Sequence, residues 1–347
     1  MNEQANTIKN TVATLLSSLN NRNRDVISRR FGLKTGKRET LESIGQSYDI
    51  TRERVRQIEE ASLASIREDL QGESKEKTEP FVKLAGEIIA KGGNVMREDM
   101  LFSAFSGIAK DNPANAALSF ILTLDGRYHR ASEDDAYRAF WSLTPVHAKA
   151  FKEQVATLTA ALGAHNAVVP EAELSDFSKS KDLKFLSPET LKSMMAISKS
   201  LDKNVFGEFG LASWAEIHPR GVRDKSYLVL KKEGKPKHFR EIAQLINDAR
   251  FSDHKAHVQT VHNELIKDNR FVLVGRGTYA LAQWGYTPGT VKEVIADLLR
   301  QKGPMPRDQI VAEVMSARLV KPNTVLLGIQ DRSRFKEENG RVSLKEV

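Results

Sequence analysis

Between residues 51 and 66 the apolar positions recur at helical spacing. At about 100° per residue, Val55, Ile58, Ser62 and Ile66 share one side of a helix. Arg52, Glu53, Arg56, Gln57 and Glu60 share the opposite side, with Arg54 at the boundary. Upstream, residues 40–48, T-L-E-S-I-G-Q-S-Y, predict a shorter amphipathic helix. A brief Asp49-Ile50 turn follows, and then Thr51, whose hydroxyl suits the N-cap of the second helix. Ile44, Ile50, Val55 and Ile58 are predicted to close one core between the two helices. Helix, tight turn and helix, with polar side chains at the start of the second, predicts a helix-turn-helix in residues 1–70.

Residues 71–80, Q-G-E-S-K-E-K-T-E-P, carry no apolar periodicity and read as a linker or the frayed end of the preceding helix. Beyond them a weak repeat is visible, clearest at 222–286. There Tyr227, Leu228 and Leu230 mark a helix, His238–Ala249 a second and His257–Lys267 a third. Two short β-type runs around Gly275-Arg276-Gly277 then predict a hairpin. Three helices and a two-stranded wing make a winged helix. The same order is read at 289–347, ending in a hairpin around Asn339-Gly340, and with less support at 81–145 and 150–217. The predicted fold is therefore mainly α: an N-terminal helix-turn-helix followed by tandem winged-helix domains with small β-hairpin wings. Trp141, Trp214 and Trp284 sit near the ends of three of these stretches, where closing a small core suits them better than stacking on bases.

The outward face of the 51–60 helix has the chemistry of base reading in a DNA major groove. Arg suits guanine, Gln suits adenine, and a carboxylate accepts from the cytosine amino group. The bland alternative is a solvated amphipathic helix, and Glu53 argues against it. A negative charge facing DNA costs affinity unless it reads a cytosine. Arg52, Glu53, Arg54, Arg56 and Gln57 are thus candidate DNA contacts, with Thr40 and Thr51 at the two helix starts. Arg276, flanked by glycines at a wing tip, is a candidate phosphate contact, though a solvated tip explains it as well.

Charge sharpens this picture through its distribution. The net +8 is almost wholly C-terminal, since residues 218–347 carry 24 Lys and Arg against 15 Asp and Glu. Such a stretch favours a polyanion through counterion release. There is no cysteine, which excludes disulfides and cysteine-ligated zinc. His254, His257 and His262 put no more than two imidazoles on one helical face, so no metal or cofactor is expected. No phosphate-binding loop, nucleophile elbow or H-E-x-x-H is present, and no catalytic residue is assigned. The N-terminus lacks the apolar core of a signal peptide and no run is long enough for a membrane span, so a cytoplasmic, nucleoid-associated protein is expected.

Two resemblances bear on function. Leu19–Leu33, L-N-N-R-N-R-D-V-I-S-R-R-F-G-L, and the stretch from Thr40 to Leu63 closely resemble region four of the sigma-70 family of bacterial transcription initiation factors. The resemblance covers about residues 10–68. It implies binding to the upstream promoter element and docking on the β flap of RNA polymerase. Carried over, Arg52, Glu53 and Gln57 would contact bases, and Arg54 and Arg56 phosphates. No counterpart is found of the aromatic, basic segment with which complete sigma factors melt DNA, so an ordinary sigma factor is not expected. Separately, H-F-R-E-I at 238–242, T-V-H-N-E-L at 260–265 and the R-F-V-L-V-G-R-G-T-Y-A-L segment resemble the HARE-HTH domain. That family includes the N-terminal domain of the RNA polymerase delta subunit. It implies a winged helix working near DNA or polymerase, and transfers no base-reading residues.

These readings converge on a sequence-specific, sigma-like DNA-binding transcription protein whose partners are double-stranded DNA and bacterial RNA polymerase. Two alternatives stay open. One is a sigma mimic that occupies polymerase without reading DNA. The other is the DNA-recognition component of a defence or restriction system. Target sequence, sign of regulation and oligomeric state are not legible.

Overall fold

The computed structural model describes residues 3–70, 72–180, 187–318 and 320–345. The chain divides into two compact units, one of Met1–Lys203 and Glu208–Ala212, the other of Asn204–Gly207 and Ser213–Val347. Both are mainly helical, with small antiparallel sheets of three strands. Gln71 of the expected linker, residues 181–186, residue 319 and residues 346–347 lie outside the described residues.

The first unit begins with α1 (Glu3–Leu15), α2 (Asn21–Phe31), α3 (Leu41–Tyr48) and α4 (Arg52–Asp69). Their ends follow from local chemistry. Asn20, Thr40 and Thr51 cap α2, α3 and α4 by accepting backbone N–H bonds from Asn23, Ser43 and Arg54. Gly32 ends α2 at φ +70°, and a Cβ there would stand 2.6 Å from the Lys37 carbonyl carbon, so only glycine fits. Val26, Ile44 and Val55 are fully buried together, with Ile50 and Ile58 packed against them half-buried.

Next come α5 (Glu73–Lys91), β1 (Val95–Arg97), α6 (Glu98–Ser106), α7 (Pro113–Asp125), β2 (His129–Ala131) and β3 (Phe140–Ser142), with sheet order β1-β3-β2. This corrects the expected 71–80 linker. From Glu73 onward the stretch forms the first turns of α5. Its Glu and Lys residues lack apolar periodicity but are good helix formers, and Thr78 among them is buried.

The expected separation of 1–70 from 81–145 is corrected as well, because the two share one core. Helix α7 is buried from Ala114 to Leu122 and again at Leu124. A helix apolar all round must be covered on all sides. Helices α1, α2 and α4 pack against it, as do α5 and α6. Ile8, Val12, Ile27, Phe31 and Ile66 thus join Phe81, Ile89, Phe105, Phe120 and Trp141 in one cluster. Phe31 meets Phe120 edge-on with ring centroids 5.1 Å apart. Arg67, near the end of α4, donates to the last carbonyls of α7, Leu124 at 3.2 Å and Thr123 at 3.0 Å.

A charged hub adds to this seam. Glu98 accepts from Arg130 at 2.8 Å and from the Trp141 indole N–H at 3.0 Å, and lies 3.8 Å from Arg38 of the α2–α3 connection. Burial pushes the Glu98 carboxyl up, but the Arg130 hydrogen bond and the charges of Arg130 and Arg38 hold it below the ordinary glutamate range. A depressed folded pKa gives stability that is full above the unfolded value and lost as pH falls through the folded one. The stability gap between the protein and Glu98→Gln is therefore expected to be full above about pH 5 and to close progressively in acid. Thermal melts of both proteins across acidic pH check this, and a gap independent of pH would remove the charge from the account.

The unit closes with α8 (Pro145–His165), β4 (Val169–Pro170), α9 (Leu174–Ser180), α10 (Pro188–Ile197), β5 (Leu201–Lys203) and β6 (Glu208–Leu211), in the order β4-β6-β5.

The second unit holds α11 (Val222–Glu233), β7 (Lys237–His238), α12 (Phe239–Asp248), α13 (Val258–Lys267), β8 (Phe271–Gly275) and β9 (Thr278–Leu281), in the order β7-β9-β8. It continues through α14 (Val291–Lys302), β10 (Met305–Pro306), α15 (Arg307–Ala317), α16 (Pro322–Ile329), β11 (Phe335–Glu338) and β12 (Arg341–Leu344), in the order β10-β12-β11. Among the described residues from α5 onward one pattern therefore recurs four times: helix, strand, helix, helix, strand, strand, with the last strand at the centre of each sheet. The strand that precedes the second helix is an addition to the two-stranded hairpins expected from sequence. Arg318, itself buried, ties neighbouring repeats by donating to the carbonyls of Leu273, at 2.7 Å, and Gly289.

Candidate nucleic-acid interface

Helix α4 presents its two faces as its periodicity predicts. Val55, Ser62 and Ile66 are buried and Ile58 half-buried, while Arg52, Glu53, Arg54, Arg56, Gln57 and Glu60 are exposed. The structure brings the five candidate readers onto the first two turns of one helix. Thr40 and Thr51 are exposed, and each hydroxyl is engaged as a cap.

The exposed groups are already paired with each other. Arg56 donates to both carboxylate oxygens of Glu53, at 2.9 and 2.6 Å, and also to Glu60. Hydrogen bonding from Arg56 holds the Glu53 carboxyl below the ordinary range, and the two carboxylates push the Arg56 guanidinium up. Arg54 donates to the Gln57 side-chain oxygen at 3.0 Å. Arg52 makes no side-chain hydrogen bond or ion pair among the described residues. The surface thus offers one uncommitted guanidinium and two pairs that must exchange partners to meet a ligand. Such exposed ion pairs contribute little to stability, so the exchange is cheap.

The sequence reading missed the network that holds this helix in place. Arg29 forms a two-pronged pair with Glu39, at 3.0 and 2.7 Å, and donates to Ser47 at 2.6 Å. Arg30 reaches Glu59 of α4 at 3.0 Å and the Glu39 carbonyl at 2.8 Å. Tyr48 donates to Asp25 at 2.9 Å, and the Arg22 guanidinium stands 5.2 Å from the centre of its ring. These arginines therefore orient α3 and α4 rather than standing free. The partners lie up to 29 residues apart, beyond any local spacing rule.

Arg276 is exposed at the β8–β9 turn. Of its flanking glycines, Gly277 needs its identity, at φ +68° with a Cβ that would stand 2.6 Å from the His238 ring nitrogen Nε2. The three histidines are dispersed in role: His262 stacks on Phe239 at 4.3 Å, His257 precedes α13 and His254 lies in the loop before it. Of the tryptophans, Trp141 is buried in the α7 core, while Trp284 is half-buried against the core of its own repeat.

Comparison with known proteins bears on the N-terminal part alone. Residues 15–68 match the family Sigma-70, region 4. RNA polymerase sigma factor SigA of Nostoc sp. is 45% identical over 62 residues, which are 18% of this chain and 16% of that one. RNA polymerase sigma factor SigA1 of Synechococcus elongatus gives the same identity and shares. The Microcystis aeruginosa SigA is 44% identical over 62 residues, 18% of this chain and 15% of its own. The chain thus covers about a sixth of the length of these curated relatives. Residues 15–68 are a sigma-70 region 4 domain.

Proposed function

We propose that this chain is a sequence-specific DNA-binding transcription protein that contacts upstream promoter DNA through α4 and docks on bacterial RNA polymerase, at its β flap. The observation that carries the reading is the exposed face of α4, Arg52, Glu53, Arg54, Arg56 and Gln57 within two turns of a region 4 domain. Arg52 is poised to reach a base directly. Glu53 and Gln57 read bases once their present partners turn away, releasing Arg56 and Arg54 to phosphates. Thr40 and Thr51 meet the backbone at the two helix starts. The work is recruitment and positioning, with no covalent step, and it takes place on the nucleoid in the cytoplasm.

The four recurring patterns are read as winged helices, residues 222–286 as a HARE-HTH-like one. The third helix and hairpin of each extend the contact to DNA or to polymerase. The positive excess of residues 218–347 assigns non-specific attraction to this end, with Arg276 on a phosphate. Each neutralised phosphate adds about −0.9 to the slope of log affinity against log salt. Deleting residues 218–347 is therefore expected to flatten the salt dependence by several units without changing the preferred sequence. Unchanged salt dependence would move that surface from DNA to polymerase.

One observation favours the rival reading of a polymerase-binding sigma mimic. Arg56 is enclosed by two carboxylates, which lowers the positive potential along α4. A pull-down with core polymerase, alone and with promoter DNA, separates the two. Capture that DNA strengthens supports our reading; capture indifferent to DNA supports the mimic.

A further inference from the structure

The loop between α12 and α13 borders a cavity of about 740 Å³, within the size range of small-molecule sites. Lys225, Arg250 and Lys255 bring three positive charges to its lining, beside His254 and against the single carboxylate of Asp253. Lys225 Nζ donates to Ser252 Oγ at 2.9 Å, which fixes where that ammonium sits. The side chains of Arg250 and Lys255 have no hydrogen bond or ion pair among the described residues.

Arg250 also occupies an unusual backbone position. It follows the end of α12 at φ 53°, in the left-handed region where helices commonly place glycine. A long side chain there is disfavoured, so the identity of this residue is not explained by the turn itself. The loop is nonetheless held. Asn247 accepts from the Ala256 N–H at 2.7 Å and donates to the Ala256 carbonyl at 3.3 Å, tying the loop's two ends together.

Its lining is not purely polar. Phe251, half-buried, contributes an apolar wall, while Ile246 borders the cavity from the core at 3% exposure. A duplex backbone offers phosphates but keeps its bases stacked inside, so it has nothing to lay against that wall. A small ligand with an anionic end and a flat apolar end satisfies both. We propose that this cavity binds a small phosphate ester of the nucleotide class, with its phosphate on Arg250 and Lys255 and its base against Phe251. The proposal does not depend on DNA reading by α4.

The test is calorimetric titration of the full-length chain with adenosine triphosphate, free of divalent metal, in low salt. Binding is expected, and Arg250→Gly is expected to weaken it at least tenfold. The same variant should keep or raise the melting temperature, because glycine suits the left-handed backbone. Lys235→Ala, which removes a charge elsewhere on the same unit, should leave nucleotide binding unchanged. The proposal is overturned if the chain does not bind the nucleotide, or if Arg250→Gly and Lys235→Ala weaken it equally. It is also overturned if Arg250→Gly affects only the affinity for a short random duplex, which would reassign the cavity to a backbone phosphate.

Discussion

Replacing Phe120 by Ala is expected to destabilise the region 4 domain, although Phe120 lies some fifty residues beyond it. Phe120 is fully buried in α7 and takes the edge-on contact of Phe31 from α2. Emptying a buried aromatic site costs about 3–5 kcal/mol, and here the cavity opens on the seam between two sets of helices. Helices α1, α2 and α4 would lose their support together with α5 and α6. Amide hydrogen exchange of the full-length chain, resolved by segment, should show α1, α2 and α4 losing protection together with α5, α6 and α7. A variant in which α5, α6 and α7 lose protection while α1, α2 and α4 keep theirs would show that the domain stands on its own core, and the shared-core account would fail.

The second large effect is on binding. Arg52 is the exposed reader that makes no side-chain hydrogen bond or ion pair among the described residues, so its loss removes a DNA contact and little else. Arg52→Ala is expected to weaken specific binding by about 1–3 kcal/mol, roughly five- to 150-fold, and to leave affinity for random duplex nearly intact. Gln57→Ala should act in the same direction, softened because it also frees Arg54. Glu53→Ala behaves differently. It removes a cytosine acceptor but also releases Arg56 from a clamp, so preference should relax at one base position while total affinity holds or rises. Equal losses on specific and random DNA across these variants would mean that α4 does not read bases.

How much of this was visible in the sequence depended on the range of the interaction. The two faces of α4, the caps at Thr40 and Thr51 and the Asp49 turn are set by residues within about one helical turn of each other, and the pattern displays them. The polar stretch at 73–80 misled because Glu and Lys form helices without showing an apolar stripe. The strands β4, β7 and β10 are two residues long, too short for alternation to register, and each is specified by a central strand 35 to 42 residues away. The run from Ala114 to Leu122 announces a buried helix, yet nothing local says that α1, α2 and α4 are what cover it. Glu53 shows the same limit at the site itself. Its position on the outer face is legible, whereas its pairing with Arg56 in the free protein depends on side-chain torsions that periodicity does not encode.

Selection of duplexes from a random pool by the full-length protein tests the central claim most directly, run in parallel with a variant carrying both Arg52→Ala and Gln57→Ala. The account predicts one enriched sequence for the unaltered protein and loss of that enrichment in the variant, with retained binding to the unselected pool. Enrichment of the same sequence by both proteins, or of none by the unaltered protein, would contradict it.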